Sequence, residues 1–305
     1  MNPSIKRRHF LKTSAVCVAA AFAPVIPAPA VEAIKRKGKP HFSLGLVAYS
    51  FRDYFNNKDT SKKITLFDFI DFCADHGCDG AELTTYYFPP NLDDDYLLRL
   101  KRHAFLRGVE ICGTAVGNNF VLPKGDKRNE QIGLVKKWVD HSALLGAPHI
   151  RIFAGTKPRD MSDADAKKLC IEGFEECVAY AGKKGVFLGL ENHSGIATDA
   201  AQLIEMVQAV KSPWFGISID SGNFQSDDPY AAFRQCAPYA VNAQVKVELQ
   251  RRGKPKEAAD FGRLIRILRE ANYQGYVSLE YEAQPDPYEA IPNWLAQIRK
   301  ELDRA

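Results

Sequence analysis

Acidic and amide side chains recur where short apolar runs of this 305-residue chain end. The run FLGLENHSG is apolar for four residues and then places Glu191 and His193 two positions apart. Later runs end in the same manner at Asp220, Gln244 and Glu280. A carboxylate can take a proton from carbon and return it, and carboxylate and amide oxygens bind hard divalent cations. Whether these groups act together depends on the elements that carry them.

Eight short apolar runs alternate with longer amphipathic segments, which predicts an α/β fold, a single-domain (β/α)8 TIM barrel. The helical segments end at glycines such as Gly146 and Gly185, the usual residues after a last helical turn. An open doubly wound sheet is the alternative, but the first run continues as VAYSFRD, without a glycine-rich phosphate turn. The predicted strands comprise residues 42–50, 80–85, 109–117, 149–155, 186–192, 215–220, 240–249 and 276–282.

A barrel would bring these strand ends to one mouth, where the catalytic groups of such folds lie. Residues two apart on a strand point the same way, so Glu191 and His193 can share the mouth, as can Gln244 and Lys246. Crowded carboxylates repel one another, and a divalent cation relieves that repulsion. The predicted metal ligands are Glu191, Asp220, Gln244 and Glu280. Their oxygens favour Mn²⁺ or Mg²⁺, while the nearby imidazole leaves Zn²⁺ and Co²⁺ open.

Further polar residues at the predicted strand ends are candidates for binding substrate. Arg151, His193 and Lys246 could contact a hydroxyl or an oxyanion, and for each a structural role is equally open. Glu82 ends the second predicted strand and could bind substrate, although pairing with a neighbouring side chain is favoured.

Four segments of the chain resemble the last four strands of the xylose isomerase-like TIM barrels: LGLENH, GISIDSGN, AQVKVE and YVSLEYE. FCADHGCDGAELTTYY is similar to the family's first helix and second strand, so the resemblance spans residues 42–285. It implies a relative of sugar-phosphate isomerases, tagatose and psicose 3-epimerases, hydroxypyruvate isomerase, inosose dehydratase and, more distantly, endonuclease IV. In that family one metal ion, often Mn²⁺, is bound by Glu, Asp, His and Glu. The resemblance implies that Glu191, Asp220 and Glu280 correspond to the three acids.

The chain departs from the family pattern at two positions. Gln244 stands where the seventh strand usually carries histidine, although some hydroxypyruvate isomerase-like members also have glutamine there. Asn223 stands where many epimerases have the histidine of Asp-x-x-His, and it can bind a substrate hydroxyl but cannot shuttle a proton. We expect the Gln244 amide oxygen to face the ion. In a different register Lys246 would face the acids and neutralise them without a metal.

The family's common step is proton transfer at a carbon next to a carbonyl or hydroxyl. The resemblance implies Glu191 and Glu280 as the two carboxylates, one on each face of the substrate. We therefore expect a metal-dependent isomerase or epimerase that acts on a sugar or keto-sugar. A lyase or hydratase acting on keto-sugars, inositols or glycosides is the first alternative, because the same pair can promote β-elimination. A non-catalytic sugar-binding barrel is the second.

The N-terminus has the pattern of a cleaved export signal. RRHFLK resembles a twin-arginine motif, and an Ala/Val-rich stretch follows it up to Ala28-Pro29-Ala30. A retained membrane anchor is the alternative. We expect the twin-arginine machinery as a partner and a periplasmic or otherwise exported location. The expected organisation is a signal peptide at residues 1–30, a linker at 31–41, the barrel at 42–285 and a C-terminal helix at 286–305.

This interpretation gives a direct prediction for export. Replacing both Arg7 and Arg8 with lysine should leave the precursor in the cytoplasm, because the twin-arginine pathway reads that pair. Cell fractionation followed by immunoblotting measures the outcome. Undiminished export of the double variant through the general pathway would contradict the prediction.

Composition argues against a nucleic-acid ligand. Residues 1–30 contain four basic residues and no acidic one, so the net charge of +4 falls to 0 when they are removed. A nuclease would need excess positive charge and a multi-metal cluster with several histidines at strand ends.

The six cysteines of the mature part form no CxxC motif and lie in apolar segments, which predicts buried free thiols. A small carbohydrate is the expected partner, and self-association stays open.

Overall fold

Eight parallel strands close into a barrel, which confirms the predicted (β/α)8 architecture. The computed structural model describes residues 31–304, so the predicted signal peptide lies outside the described residues. The barrel strands are β1 (His41–Val47), β2 (Gly80–Thr84), β3 (Glu110–Ala115), β4 (His149–Ile152), β5 (Phe187–Glu191), β6 (Phe215–Asp220), β7 (Ala240–Val245) and β10 (Gln274–Leu279). Around the barrel the order is β1-β10-β7-β6-β5-β4-β3-β2. Every hydrogen-bonded neighbour is parallel, so all eight strands end at the same mouth.

Helices cover the outside of the barrel, and their ends follow local sequence signals. The α-helices in the described residues are α1 (Arg52–Phe55), α2 (Leu66–Asp75), α3 (Asp94–Arg107), α4 (Asp126–Leu145), α5 (Asp163–Lys184), α6 (Ala200–Ala209), α7 (Pro229–Cys236), α8 (Phe261–Glu270) and α9 (Pro287–Leu302). The Ser162 side chain caps the start of α5. As predicted, α4 and α5 end at Gly146 and Gly185, which adopt φ of +85° and +73°.

The seventh predicted strand is shorter than its apolar pattern suggested. The sequence predicted a strand over residues 240–249, whereas β7 ends at Val245. At Lys246 the backbone N–H donates to Ser221 Oγ over 2.9 Å, so it leaves the strand ladder. The chain then forms β8 (Glu248–Gln250), which pairs antiparallel with β9 (Lys256–Ala258). This hairpin stands beside the mouth of the barrel.

The remaining segments close the barrel without adding another layer. The segment that precedes β1 is tied by backbone bonds from Val31 to Val210 and from Ile34 to Pro238. The C-terminal helix α9 contacts β1 and α8. Each cysteine in the described part is free and buried, which confirms the predicted thiols. Among residues 31–304, no helix has the length and apolar character that crossing a membrane requires.

Candidate active site

A cavity of about 380 Å³ opens at the carboxyl ends of the barrel strands. Its aromatic wall consists of Tyr49, Tyr86 and Phe153. The polar side chains that line it are Arg151, Glu191, His193, Asn223, Lys246, Glu280 and Glu282. This combination of apolar surface with a few convergent polar groups is typical of a small-molecule site.

The Lys246 ammonium lies among three carboxylates. Its Nζ is 3.3 Å from Asp220 Oδ2 and 3.2 Å from Glu280 Oε2, and it also contacts Glu282. The lysine stem passes close to Gly222, where an added Cβ would stand 2.7 Å from Lys246 Cδ. Gly222 therefore leaves the space that lets the ammonium reach the acids from the end of β7.

Both oxygens of Glu191 are held by neighbouring side chains. Arg151 Nε lies 2.8 Å from Glu191 Oε2, and Asn223 Nδ2 donates to Oε1 over 2.9 Å. Arg151 is fixed in turn, because it donates to the Val116 carbonyl and its guanidinium stands 3.9 Å from the Phe153 ring centroid. The Glu191 carboxylate thus has a defined orientation at the cavity surface.

A second polar layer lies beneath the cavity. Gln244 Nε2 donates to Glu82 Oε1 over 2.7 Å, and Asn242 Nδ2 donates to Glu82 Oε2 over 3.0 Å. The two amides come from β7 and the carboxyl from β2, which are not neighbours in the barrel, so the contacts cross its interior. Burial raises the pKa of Glu82 to about 7, partly opposed by the bond from Asn242.

The end of β6 is clamped so that one oxygen of Asp220 faces the acids. Asn192 exchanges two 2.8 Å bonds with the Asp220 backbone, one in each direction. The Gly222 N–H donates to Asp220 Oδ1 over 2.7 Å. Asp220 Oδ2 is left pointing towards Lys246.

Burial and neighbouring charges push the pKa values of the site carboxyls apart. Burial raises the pKa of Glu191 to about 7, with Arg151 acting in the opposite direction. Burial also raises the pKa of Asp220 well above its usual range, although Lys246 opposes this. At Glu280 burial acts upward too, but Lys246 and Arg151 outweigh it and the pKa is lowered. At neutral pH Glu280 is therefore ionised, whereas Glu191 titrates close to neutrality.

Among the predicted metal ligands, Gln244 Oε1 is buried and accepts no hydrogen bond, whereas Asp220 Oδ2 faces the Lys246 ammonium at 3.3 Å. Leaving a buried acceptor unpaired is costly, and a cation bound to the Gln244 oxygen would remove that cost. In residues 31–304, however, no three His, Cys, Asp or Glu side chains converge as a metal site. A divalent cation at these oxygens would have to displace the Lys246 ammonium from Asp220 and Glu280.

The structure brings most of the predicted site residues to one mouth. Six of them line the cavity: Arg151, Glu191, His193, Asn223, Lys246 and Glu280. Asp220 and Gln244 lie just below its surface and are almost fully buried. Glu82 lies beneath them and, as favoured from the sequence, pairs with neighbours. Gln244 donates its NH₂ group to Glu82, and Lys246 lies among the acids, as the alternative interpretation of the sequence placed it.

Sequence reasoning missed the aromatic wall and one of the buried amides. Tyr49, Tyr86 and Phe153 lie within two residues of the ends of β1, β2 and β4, so their position after a strand end is the signal that could have identified them. Asn242 is two residues before Gln244, so strand alternation places it on the same face. Glu282 follows Glu280 by two residues, but its contact with Lys246 is a tertiary feature.

Comparison with known proteins gives a consistent family. The family model described as "Xylose isomerase-like TIM barrel" matches residues 70–298. A Mus musculus protein described as "Putative hydroxypyruvate isomerase" is 23% identical over 201 residues, covering 57% of this chain and 72% of the relative. A crystal structure of D-psicose 3-epimerase in the presence of D-fructose has a TM-score of 0.72 at 17% identity, covering 86% and 100% of the two chains. The structure of L-ribulose 3-epimerase has a TM-score of 0.70 at 15% identity, and the match covers 86% of this chain and 95% of that chain.

Proposed function

Because the chain belongs to the xylose isomerase-like TIM barrel family, we propose that it is a sugar isomerase or epimerase. The observation that carries this proposal is the pair of buried carboxyls, Glu191 and Glu280, which line one cavity and are held there by Arg151, Asn223 and Lys246. Pairs of this kind divide the roles of acid and base between two side chains. The isomerase and epimerase names of the similar proteins support the same class of reaction.

Glu280 is the proposed base. Its lowered pKa keeps it ionised at neutral pH, so it can accept a proton from the substrate carbon next to a carbonyl. Glu191 is the proposed acid, because in the absence of a cation burial raises its pKa to about 7, so that it can both hold and release a proton. Return of the proton at the neighbouring carbon gives isomerisation, and return at the same carbon from the other face gives epimerisation.

Four further side chains are placed to bind the substrate. Arg151 and Asn223 hold Glu191 and can donate to sugar hydroxyls from the same wall of the cavity. The His193 ring lies 4.5 Å from the Phe153 ring, centroid to centroid, and extends the aromatic wall. That wall suits the apolar C–H face of a sugar, while Lys246 can bind a developing oxyanion.

We also propose a divalent cofactor, Mn²⁺ before Mg²⁺, Zn²⁺ or Co²⁺, held by Glu191, Asp220, Gln244 and Glu280. The unsatisfied buried oxygen of Gln244 supports this assignment. When bound, such an ion polarises the substrate carbonyl. Lys246 would then be released from the acids and could turn its ammonium towards the substrate.

The substrate class follows from the proposed location. The leader pattern at residues 1–30 supports export, and an exported enzyme meets free sugars, keto-sugars and glycosides more often than sugar phosphates. We therefore propose a sugar or keto-sugar as substrate. Elimination from a keto-sugar stays the alternative outcome for the same acid and base.

Solvent deuterium incorporation tests the proposed reaction. The mature protein, supplied with Mn²⁺, is incubated in deuterated water with a panel of aldoses, ketoses and 3-keto-sugars. We expect deuterium at the carbon next to the carbonyl of at least one sugar, detected by NMR and mass spectrometry. An isomer of equal composition supports isomerisation, whereas loss of water or of an aglycone indicates elimination. Binding of sugars without any exchange would instead indicate a non-catalytic barrel.

A further inference from the structure

A second cavity of about 430 Å³ adjoins the active-site cavity. The two cavities share His193 and Asn223 in their linings. Asn223 also donates to the Glu191 carboxylate over 2.9 Å, so the junction lies directly beside the proposed acid. A ligand that reacts at Glu191 can therefore extend past Asn223 into the second cavity.

The far wall of this second cavity is preformed by the β8–β9 hairpin. Arg252 in the hairpin turn donates from its backbone to Ser226 O over 2.9 Å and from its side chain to Gln225 O over 2.7 Å. Arg251 donates to Asp227 O over 3.2 Å. These bonds fasten the turn to the segment after β6. Preformed walls of this kind lower the ordering cost of binding.

The second cavity offers neutral polar groups to a ligand. Its lining includes Ser194, Gln225 and Gln250, which carry a hydroxyl and two amides. The guanidinium of Arg251 is paired with Glu257 at 2.9 Å, whereas that of Arg252 keeps its charge while it donates to the Gln225 carbonyl. The hydroxyl, the two amides and the remaining N–H groups of Arg252 match the donors and acceptors of a sugar ring.

Backbone strain marks the junction between the two cavities. Ser194 adopts a φ of +51°, although it is not glycine, and it follows His193 directly. Non-glycine residues in this region are held there by their surroundings and concentrate at functional sites. The strained segment turns His193 and Ser194 towards adjoining parts of the same groove.

We propose that the substrate is a glycoside or disaccharide rather than a free monosaccharide. The reacting ring occupies the cavity at Glu191 and Glu280, and a second sugar ring occupies the cavity bounded by the hairpin. The assignment of the reacting ring rests on the proposed function, whereas the binding of two rings does not. The groove then acts as the part of the site that selects substrate size.

A tryptophan at position 225 tests the groove. Gln225 is exposed and lines the second cavity, so Gln225→Trp should fill it while leaving the catalytic carboxyls untouched. Gln250 is also exposed and lines the second cavity, so Gln250→Trp provides a second variant if the first folds poorly. Glu130→Trp on α4 adds the same side chain at an exposed position away from the groove and serves as the control.

Binding is measured by calorimetry and ligand-observed NMR with D-glucose, with α- and β-linked glucose disaccharides, and with the 3-keto form of each. We expect at least one disaccharide to bind the wild type about tenfold tighter than its monosaccharide, a gain of about 1.4 kcal/mol. Gln225→Trp should remove that gain without changing monosaccharide affinity, and Glu130→Trp should change neither. Equal affinity of both sizes for the wild type, or a groove variant without effect, would overturn the proposal. If the wild type binds the disaccharide more tightly but exchanges no substrate proton for deuterium, only the proposed proton transfer is overturned.

Discussion

Glu280→Gln should lower turnover by about 10²–10⁴-fold, the usual contribution of a positioned acid or base. Glutamine keeps the shape of the side chain but cannot accept a proton. Because Glu280 is the proposed base, the variant should lose both conversion of the sugar and incorporation of solvent deuterium. Steady-state kinetics and NMR of the same samples measure the two effects, and metal analysis shows whether the ion is retained.

Glu191→Gln should separate conversion of the sugar from incorporation of solvent deuterium. If Glu191 acts as the acid on the opposite face, its loss stops conversion while Glu280 continues to exchange the substrate proton with solvent. Glu282→Gln is the matched control, since Glu282 lines the same cavity and contacts Lys246 but has no assigned proton transfer. Full deuterium exchange by Glu280→Gln, or an equal loss of turnover in Glu282→Gln, would contradict the assignment.

Lys246→Met should destabilise the metal-free protein by about 3–5 kcal/mol, the usual cost of removing one partner of a buried ion pair. Methionine preserves the stem beside Gly222 but removes the ammonium from Asp220 and Glu280. The acids raise the pKa of Lys246 well above its usual value despite its burial, so the wild-type ammonium is fully charged at neutral pH. Chemical denaturation in the presence of a chelator measures the loss.

The same variant should bind Mn²⁺ more tightly than the wild type, because the ion no longer has to displace a lysine from its ligands. We expect a gain in affinity of about tenfold or more, together with recovery of stability on addition of Mn²⁺. Equilibrium dialysis and thermal unfolding provide readouts that do not depend on activity. Lys256→Met on β9, which pairs with exposed Glu248, is the control. If the metal-free variant is as stable as the wild type, or binds the metal no more tightly, the hypothesis that the Lys246 ammonium occupies the cation position is refuted.

The sequence by itself determined the barrel and the strand ends that meet at its mouth. Apolar runs separated by amphipathic segments are a local signal, and glycines such as Gly146 and Gly185 end helices through their own backbone freedom. Once the strands are parallel, their carboxyl ends must share one edge. The positions of Glu191, Asp220 and Glu280 at the mouth follow from that geometry alone.

Only the tertiary structure decided which side chains touch. Gln244 meets Glu82 across the barrel, 162 positions away in sequence, and Arg151 on β4 holds Glu191 on β5. Lys246 reaches Asp220 and Glu280 because its long side chain passes over a glycine from another segment. Such contacts depend on the stagger of the strands and on the packing of flexible side chains. The apolar periodicity of a strand predicts neither of these. For the same reason the segment KVEL after Val245 gave no sign of the hairpin that bounds the second cavity, because the turn out of the barrel depends on the bond to Ser221 and on pairing with β9.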